Sequence, residues 1–402
     1  MKSNYNQLGQ YIEMVSRTNS DLKYGIEDVR GCSNTKQMMQ TRANLIGRTY
    51  EKFIVLRPQE FVFNRRTTRN GEKIGMAYNN TDREYIFTND YVAFRVKQEY
   101  LDKLLPDYLY MFFCRDEFDR YARYKSTGSA TEFFNWEDMC AVPFEIPPMD
   151  FQQLVVNAYK VLNERIETKQ KINDNLRASA SIMFFNKIRY VQCSECCQET
   201  EIGRYPIEWT LSTLGDVLDT IIDRRGLTPT KLGSEWSNEG IIALSAKSVK
   251  NHELVNLDIA NHVDNDLYNR WMPQKLQSQD ILMTSEAPLG EFYYLADFST
   301  YCLSQRLFAM RANKTIIEPT VLYFQLTDSI GKHQIDIRKT GTTVTGIRQS
   351  ELIQVPIIVP PMNIQKEFAR FCNPIMITIE KNADEIRQLF KLQEMLLSRL
   401  SR

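Results

Sequence analysis

Between residues 64 and 73 the chain reads Asn64-Arg65-Arg66-Thr67-Thr68-Arg69-Asn70-Gly71-Glu72-Lys73, four cations and one carboxylate with Thr and Asn donors between them. Arg and Asn are the side chains suited to bidentate reading of guanine and adenine edges. The stretch leaves the strand-like run Phe61-Val62-Phe63, so Asn64, Arg65, Arg66, Thr67, Arg69 and Lys73 are expected in a loop. Taken alone, a solvated surface turn is the plainer reading of it. A second pattern, cation, hydroxyl, Gly, hydroxyl, occurs twice, as Lys125-Ser126-Thr127-Gly128-Ser129 and as Arg338-Lys339-Thr340-Gly341-Thr342-Thr343. Glycine lets a backbone approach another backbone closely, and Lys, Ser, Thr and backbone N–H groups are common phosphate donors. Arg224-Arg225-Gly226-Leu227-Thr228-Pro229 and Lys247-Ser248-Val249-Lys250 are further polar-basic loops, adding Arg224, Arg225, Thr228, Lys247 and Lys250 to the candidates. The place that corresponds to the first basic loop is Thr284-Ser285-Glu286-Ala287-Pro288-Leu289-Gly290, which has no cation. Thr284 and Ser285 are its candidate contacts, and equivalent loops with different chemistry would read different bases.

Catalytic patterns are missing. No G-x-G-x-x-G follows a strand, and there is no G-x-x-x-x-G-K-[ST] phosphate loop. Pro147-Pro148 and Pro360-Pro361 stand where an amino-methyltransferase would carry Asn/Asp-Pro-Pro-aromatic. Here Ile146 and Val359 precede the prolines and Met149 and Met362 follow, so acceptor and stacking ring are both absent. Three scattered histidines (His252, His262, His333) argue against a His-rich metal site. Cys193-Ser194-Glu195-Cys196-Cys197 contains a C-x-x-C, but a structural zinc site wants a second ligand pair nearby, and a solvated linker is the better reading. The expectation is no metal, no catalysis and no cofactor held by this chain.

Composition bounds the rest. The chain has 402 residues, 50 Lys+Arg against 50 Asp+Glu, and 43% hydrophobic residues. That length suits two or three domains, each with its own core. A net charge of zero removes the simplest case for nucleic acid, so any such binding must come from local patches. No apolar run is long enough for a membrane span, the polar start is unlike a signal peptide, and eight irregularly spaced cysteines suit reduced thiols in a cytosol.

A repeat organises the chain. Thr127-Gly128 recurs as Thr340-Gly341, Val142-Pro143 as Val355-Pro356, Pro147-Pro148-Met149 as Pro360-Pro361-Met362, and Gln152 as Gln365, all at an offset of 213. Further upstream the offset drifts, with Leu8-Gly9 matching Leu214-Gly215 at 206. Each half ends in a helical pattern. Val155, Tyr159, Leu162, Ile166, Lys169, Asn173, Leu176, Ala180 and Met183 alternate spacings of 4 and 3, as do Ile375, Ile379, Asn382, Ile386, Leu389, Gln393, Leu396 and Leu400. That is a coiled-coil seam, whose polar members can fix register. Pro374 should break or kink the second helix, placing the start of its seam at Ile375. Before each helix come short β-type runs, such as Tyr85–Phe87, Ile241–Leu244, Ile281–Met283 and Val355–Val359, punctuated by turns at Asn70-Gly71 and Asn79-Asn80. Residues 108–123 and 320–329 read as short helices.

The fold class expected is therefore α+β: two tandem pseudo-symmetric domains, each followed by a long helix, the two helices packed as an antiparallel coiled coil. The boundaries read 1–148 for the first domain, 149–190 for its helix, 191–206 for a linker, 207–361 for the second domain and 362–402 for the last helix. Duplex DNA offers such a construction two short sites at fixed separation. A scaffold with two protein-binding domains on a coiled-coil spacer has the same geometry.

The duplicated set resembles the specificity (S) subunit of type I restriction-modification enzymes over essentially the whole chain. It is carried by Leu8-Gly9 and Leu214-Gly215, Glu60-Phe61-Val62-Phe63 and Asp280-Ile281-Leu282-Met283, Leu303-Ser304-Gln305-Arg306-Leu307, and the closing Val-Pro-x-x-x-Pro-Pro-Met-x-x-Gln. The resemblance implies two target recognition domains, each reading half of a bipartite double-stranded DNA target. It implies two adenine-N6 methyltransferase subunits as partners, with two motor-nuclease subunits joining them in some complexes. S-adenosylmethionine, ATP and Mg would then belong to those partners, and the setting would be cytoplasmic, away from membranes. The family's Gly-x-Thr-Pro loop is present as Gly226-Leu227-Thr228-Pro229 but poorly matched in the first half.

Overall fold

The fold is that of a computed structural model, which describes residues 6–41, 45, 47–67, 73–128, 131–190, 197–297, 299–341 and 345–400. The chain divides into two units: Met1–Ile166 with Arg387–Arg402, and Glu167–Ile386. Each unit thus holds a segment of both long helices.

In the first unit, β1 (Ile12–Val15), β2 (Phe61–Asn64), β3 (Met76–Tyr78) and β4 (Tyr91–Val96) form an antiparallel sheet of order β1-β4-β2-β3. In the second, β5 (Leu218–Asp223), β6 (Ile281–Ser285), β7 (Leu289–Tyr294) and β8 (Leu307–Ala312) repeat that topology as β5-β8-β6-β7. Alternate residues of the first sheet face an aromatic core in which Phe61, Phe63, Phe94, Phe113, Phe118 and Phe134 are all fully or almost fully buried. The second core is built from Met283, Phe292, Phe308, Met310 and Phe368.

The helices keep the repeat in strict register. Pro106–Phe113 and Asp116–Lys125 correspond to Pro319–Thr327 and Ser329–Asp336, Trp136–Cys140 to Gln349–Leu352, and Met149–Phe184 to Met362–Arg399. Every one begins 213 residues after its counterpart. Residues 108–123 are two helices rather than the one expected, broken at Cys114-Arg115; 320–329 splits likewise at Asp328, whose carboxylate caps the next helix by accepting from Gly331 N at 2.7 Å.

The repeated glutamine explains why the closing motif is kept. Gln152 accepts from Leu105 N (2.9 Å) and donates to the carbonyls of Lys103 (2.7 Å) and Pro147 (2.8 Å). Gln365 accepts from Glu318 N (2.8 Å) and donates to those of Ile316 (3.0 Å) and Pro360 (2.7 Å). Both side chains are buried, and each satisfies backbone groups at a helix start and in a loop.

Three expectations need correction. The second long helix runs unbroken through Pro374 from Met362. The lost donor of Pro374 is outweighed by burial of Phe368, Cys372 and Met376 in the second core, which holds both sides of the proline in one helix. The stretch read as a linker holds a hairpin, Cys197–Thr200 with Gly203–Pro206, whose Tyr205 is buried in the same core. Cys197 is disulfide-bonded, unlike the reduced thiol expected; the C-x-x-C that precedes it, Cys193 to Cys196, lies outside the described residues. Among the described residues no helix is long and apolar enough to cross a membrane.

Candidate nucleic-acid interface

A node of backbone pairing recurs in the two units. In the first, Thr127 and Phe133 exchange both backbone hydrogen bonds (3.1 and 2.9 Å), closing a small loop, and Phe133 also bridges to Arg66 just beyond β2. Phe134 N then donates to Arg65 O at 2.8 Å. In the second, Thr340 and Gly346 exchange bonds (2.7 and 3.0 Å), Gly346 bridges to Glu286 just beyond β6, and Ile347 N donates to Ser285 O at 2.9 Å. The structure thus brings the Thr-Gly loop and the loop leaving the sheet together, twice, on one backbone plan. Gly128 has φ of +147°, and a Cβ there would sit 2.0 Å from Thr131 O. The loop closes tightly only with glycine at that place.

The first unit surrounds its node with cations. Arg65 and Arg66 are exposed; the Arg65 guanidinium lies 5.9 Å from the Phe133 ring centre, and Arg66 faces Asp90 at 3.5 Å. Arg123 pairs with Glu132. Lys125 lies over Tyr121 and Tyr124, 5.9 Å from each ring centre, and Tyr124 is 83% exposed. Lys73 is half-exposed opposite Asp116 at 3.6 Å. Just beyond it, Ile74 is clamped by a buried pair: Lys36 Nζ donates to Ile74 O (2.9 Å) and to Asp119, and Asp119 accepts from Ile74 N (3.0 Å). Burial lowers the Lys36 pKa, and the Asp119 carboxylate opposes that shift. The clamp fixes the far end of the basic loop on the helix Asp116–Lys125.

In the second unit Arg225 donates twice to Asp223 (2.9 and 2.7 Å), reaches Ile347 O at 3.5 Å and stacks 4.0 Å over Phe308. Arg306 pairs with Glu286 at 3.1 Å, and Lys339 with Asp336 at 2.8 Å. Arg224 and Thr228 sit half-buried in the loop after β5, where Thr228 Oγ1 accepts from Lys231 N at 3.3 Å. Lys247 and Lys250 are exposed on the turn Ala246–Ser248 and the hairpin Val249–Lys250/Glu253–Leu254 that packs beside β7.

Several sequence candidates serve the fold instead. Thr67 is 3% exposed, and its hydroxyl and amide both donate to Glu132 O. Thr284 and Ser285 are buried on β6, Thr284 Oγ1 accepting from Glu291 N at 2.9 Å. Asn64 accepts from Arg66 N at 3.0 Å, and Ser126 donates to Ala122 O at 2.7 Å. The strand Ile281–Ser285 is packed on both faces and buries every one of its residues, which composition does not reveal. Thr127, Gly128, Thr340 and Gly341 are exposed at the node, whereas Arg69 and Thr342 lie outside the described residues. Sequence reasoning passed over Phe133, Glu132, Arg123 and Arg306. Their signal is a mismatch inside a matched frame: Phe133 and Gly346 are counterparts that differ between two shared flanks.

Residues 206–390 match the model of the type I restriction modification DNA specificity domain. Over 263 residues the chain is 23% identical to a protein of Methanocaldococcus jannaschii assigned as the type I restriction enzyme MjaX specificity subunit, covering 63% of this chain and 57% of that one. The chain therefore spans little more than half the length of that relative. The crystal structure of the type I restriction-modification system S subunit from M. genitalium shares the fold, with a TM-score of 0.57 at 11% identity over 100% of this chain and 97% of that one. With a duplicated α+β unit, paired long helices and a specificity-domain match over residues 206–390, the chain is similar to the type I restriction-modification specificity subunits.

Proposed function

We propose that this chain is the DNA-reading subunit of a type I restriction-modification complex. Its two units each read one half of a bipartite double-stranded target, and the paired long helices set the gap between the halves. The recognition domains would be residues 1–148 and 207–361, and the helices 149–190 and 362–402. Arg65, Arg66, Lys73, Lys125, Thr127 and Gly128 contact DNA from the first unit. Lys339, Thr340 and Gly341 do so from the second, with Arg224, Thr228, Lys247 and Lys250 on its flank. The chain performs no chemistry itself. Two adenine-N6 methyltransferase subunits, and in some complexes two motor-nuclease subunits, dock on it and bring S-adenosylmethionine, ATP and Mg.

The observation that carries this reading is the duplicated node: one backbone plan with exposed Thr-Gly in both units and different side chains around it. The exposed Thr-Gly that both units share suits phosphate contacts, which position, and unshared side chains suit base contacts, which specify. The balance of 50 cations and 50 carboxylates then averages over helices and docking faces. Methylome sequencing of cells with and without the chain tests it. Loss of a bipartite N6-methyladenine motif is the expected result; an unchanged methylome contradicts it and favours a protein-binding scaffold.

A further inference from the structure

The duplicated node exchanges charge at one position. Arg66 and Glu286 occupy the same place in the two units, each following the carbonyl (Arg65 O, Ser285 O) that accepts from the residue after the Thr-Gly loop, and each bridged to the end of that loop. The exchange is accompanied by a change of size opposite them. Phe133 faces Arg66, and its ring lies beside Arg65. Gly346 faces Glu286, and a Cβ on Gly346 would sit 3.0 Å from both Glu286 Cβ and Ser285 O, and 3.5 Å from Glu286 Oε2. Glycine there leaves room for the carboxylate to lie across the loop. Arg306 then holds the carboxylate at 3.1 Å, while the Glu286 side chain stays 38% exposed and Arg306 51%. A half-exposed carboxylate held by Arg306 beside the exposed Thr-Gly that both units share can only accept hydrogen bonds, and the base edge that offers it a donor in the major groove is an exocyclic amine.

We infer that Glu286 is a specificity-determining residue of the second unit, accepting a hydrogen bond from the exocyclic amine of cytosine or adenine. Arg66, in the same place in the first unit, donates to guanine. This rests on the DNA-reading proposal above and adds to it a residue and a base class for each half of the target.

The test compares the chain with its E286A, E286R and R66E variants, each co-expressed with the methyltransferase partner, by sequencing methylated bases. E286A and E286R should relax or change one position of one half-site, with discrimination there falling roughly 5- to 150-fold, and leave the other half intact. R66E should do the converse. An unchanged motif from E286A in an assembled complex overturns the inference. If E286A abolishes methylation, competition binding of that complex to duplexes varied one position at a time reads the same discrimination, and wild-type discrimination there also overturns it. Absence of any bipartite motif from the wild type is a different result, which removes the DNA-reading proposal itself.

Discussion

Lys169 donates a hydrogen bond to Asn382 at 2.8 Å, and Asn382 is its own counterpart, 213 residues further on. Lys169 also pairs with Glu385 at 2.7 Å, Asn382 donates to Asn173 at 2.8 Å, and Asn173 donates to Ile379 O at 3.3 Å. A residue that touches its own counterpart marks a local two-fold between the two helix segments, which run antiparallel there. An all-apolar seam could slip by a heptad. This polar cluster has one register in which every member is paired.

Asn173→Leu should therefore cost about 1–3 kcal/mol, because it strands the buried amide of Asn382. The double variant N173L/N382L should recover much of that loss, since two apolar residues replace a satisfied polar pair. Urea denaturation of the four proteins of the cycle measures the coupling, and a coupling near zero would contradict the network.

The two buried glutamines make the same three bonds in different units. Gln152→Ala and Gln365→Ala should each cost about 2–3 kcal/mol, from backbone groups left unpaired. With no shared partner, their effects should add within about 0.5 kcal/mol in the double variant. Thermal denaturation of the three variants checks both points.

Surface cations and the buried threonine beside them should separate cleanly. Lys73→Ala removes a half-exposed side chain whose pairing with Asp116 is worth little. It should leave stability unchanged and lower the slope of log binding constant against log salt by about 1. Thr67→Ala should do the reverse, costing about 1 kcal/mol of stability with no change in slope. Salt titrations of DNA binding by the assembled complex, beside melting curves, distinguish the two.

His252 gives a pH dependence of defined sign. Its Nδ1 lies 2.8 Å from the Tyr323 hydroxyl, and burial holds its pKa below the usual histidine range. Lys332 and Arg177 reinforce that shift, while Glu291 and Glu253 oppose it. The folded ring resists a proton that the unfolded ring accepts near pH 6.5, so stability should fall as pH drops through that range. H252N, which tolerates the positive φ at this place, should flatten the decline. Melting temperatures between pH 8 and 5.5 read the difference.

Legibility followed physical necessity. The repeat is plain from residue 106 to 152 because buried brackets such as Gln152 and packed helix starts accept few alternatives. It drifts upstream, where loops between strands vary in length. Pro374 misled because local propensity was weighed without the core that holds Phe368 and Cys372. Thr67, Thr284 and Ser285 misled because a polar side chain at a strand end serves the fold or the surface according to whether the face it points to is packed. The Lys36–Asp119 clamp joins residues 83 apart and left no local pattern to read.

The most direct test of the central claim exchanges residues 1–140 for the same segment of another specificity subunit and sequences the methylated bases. One half of the bipartite motif should change while the other half and the gap stay as they were. A change in both halves, or in neither, would contradict an account in which each unit reads its own half.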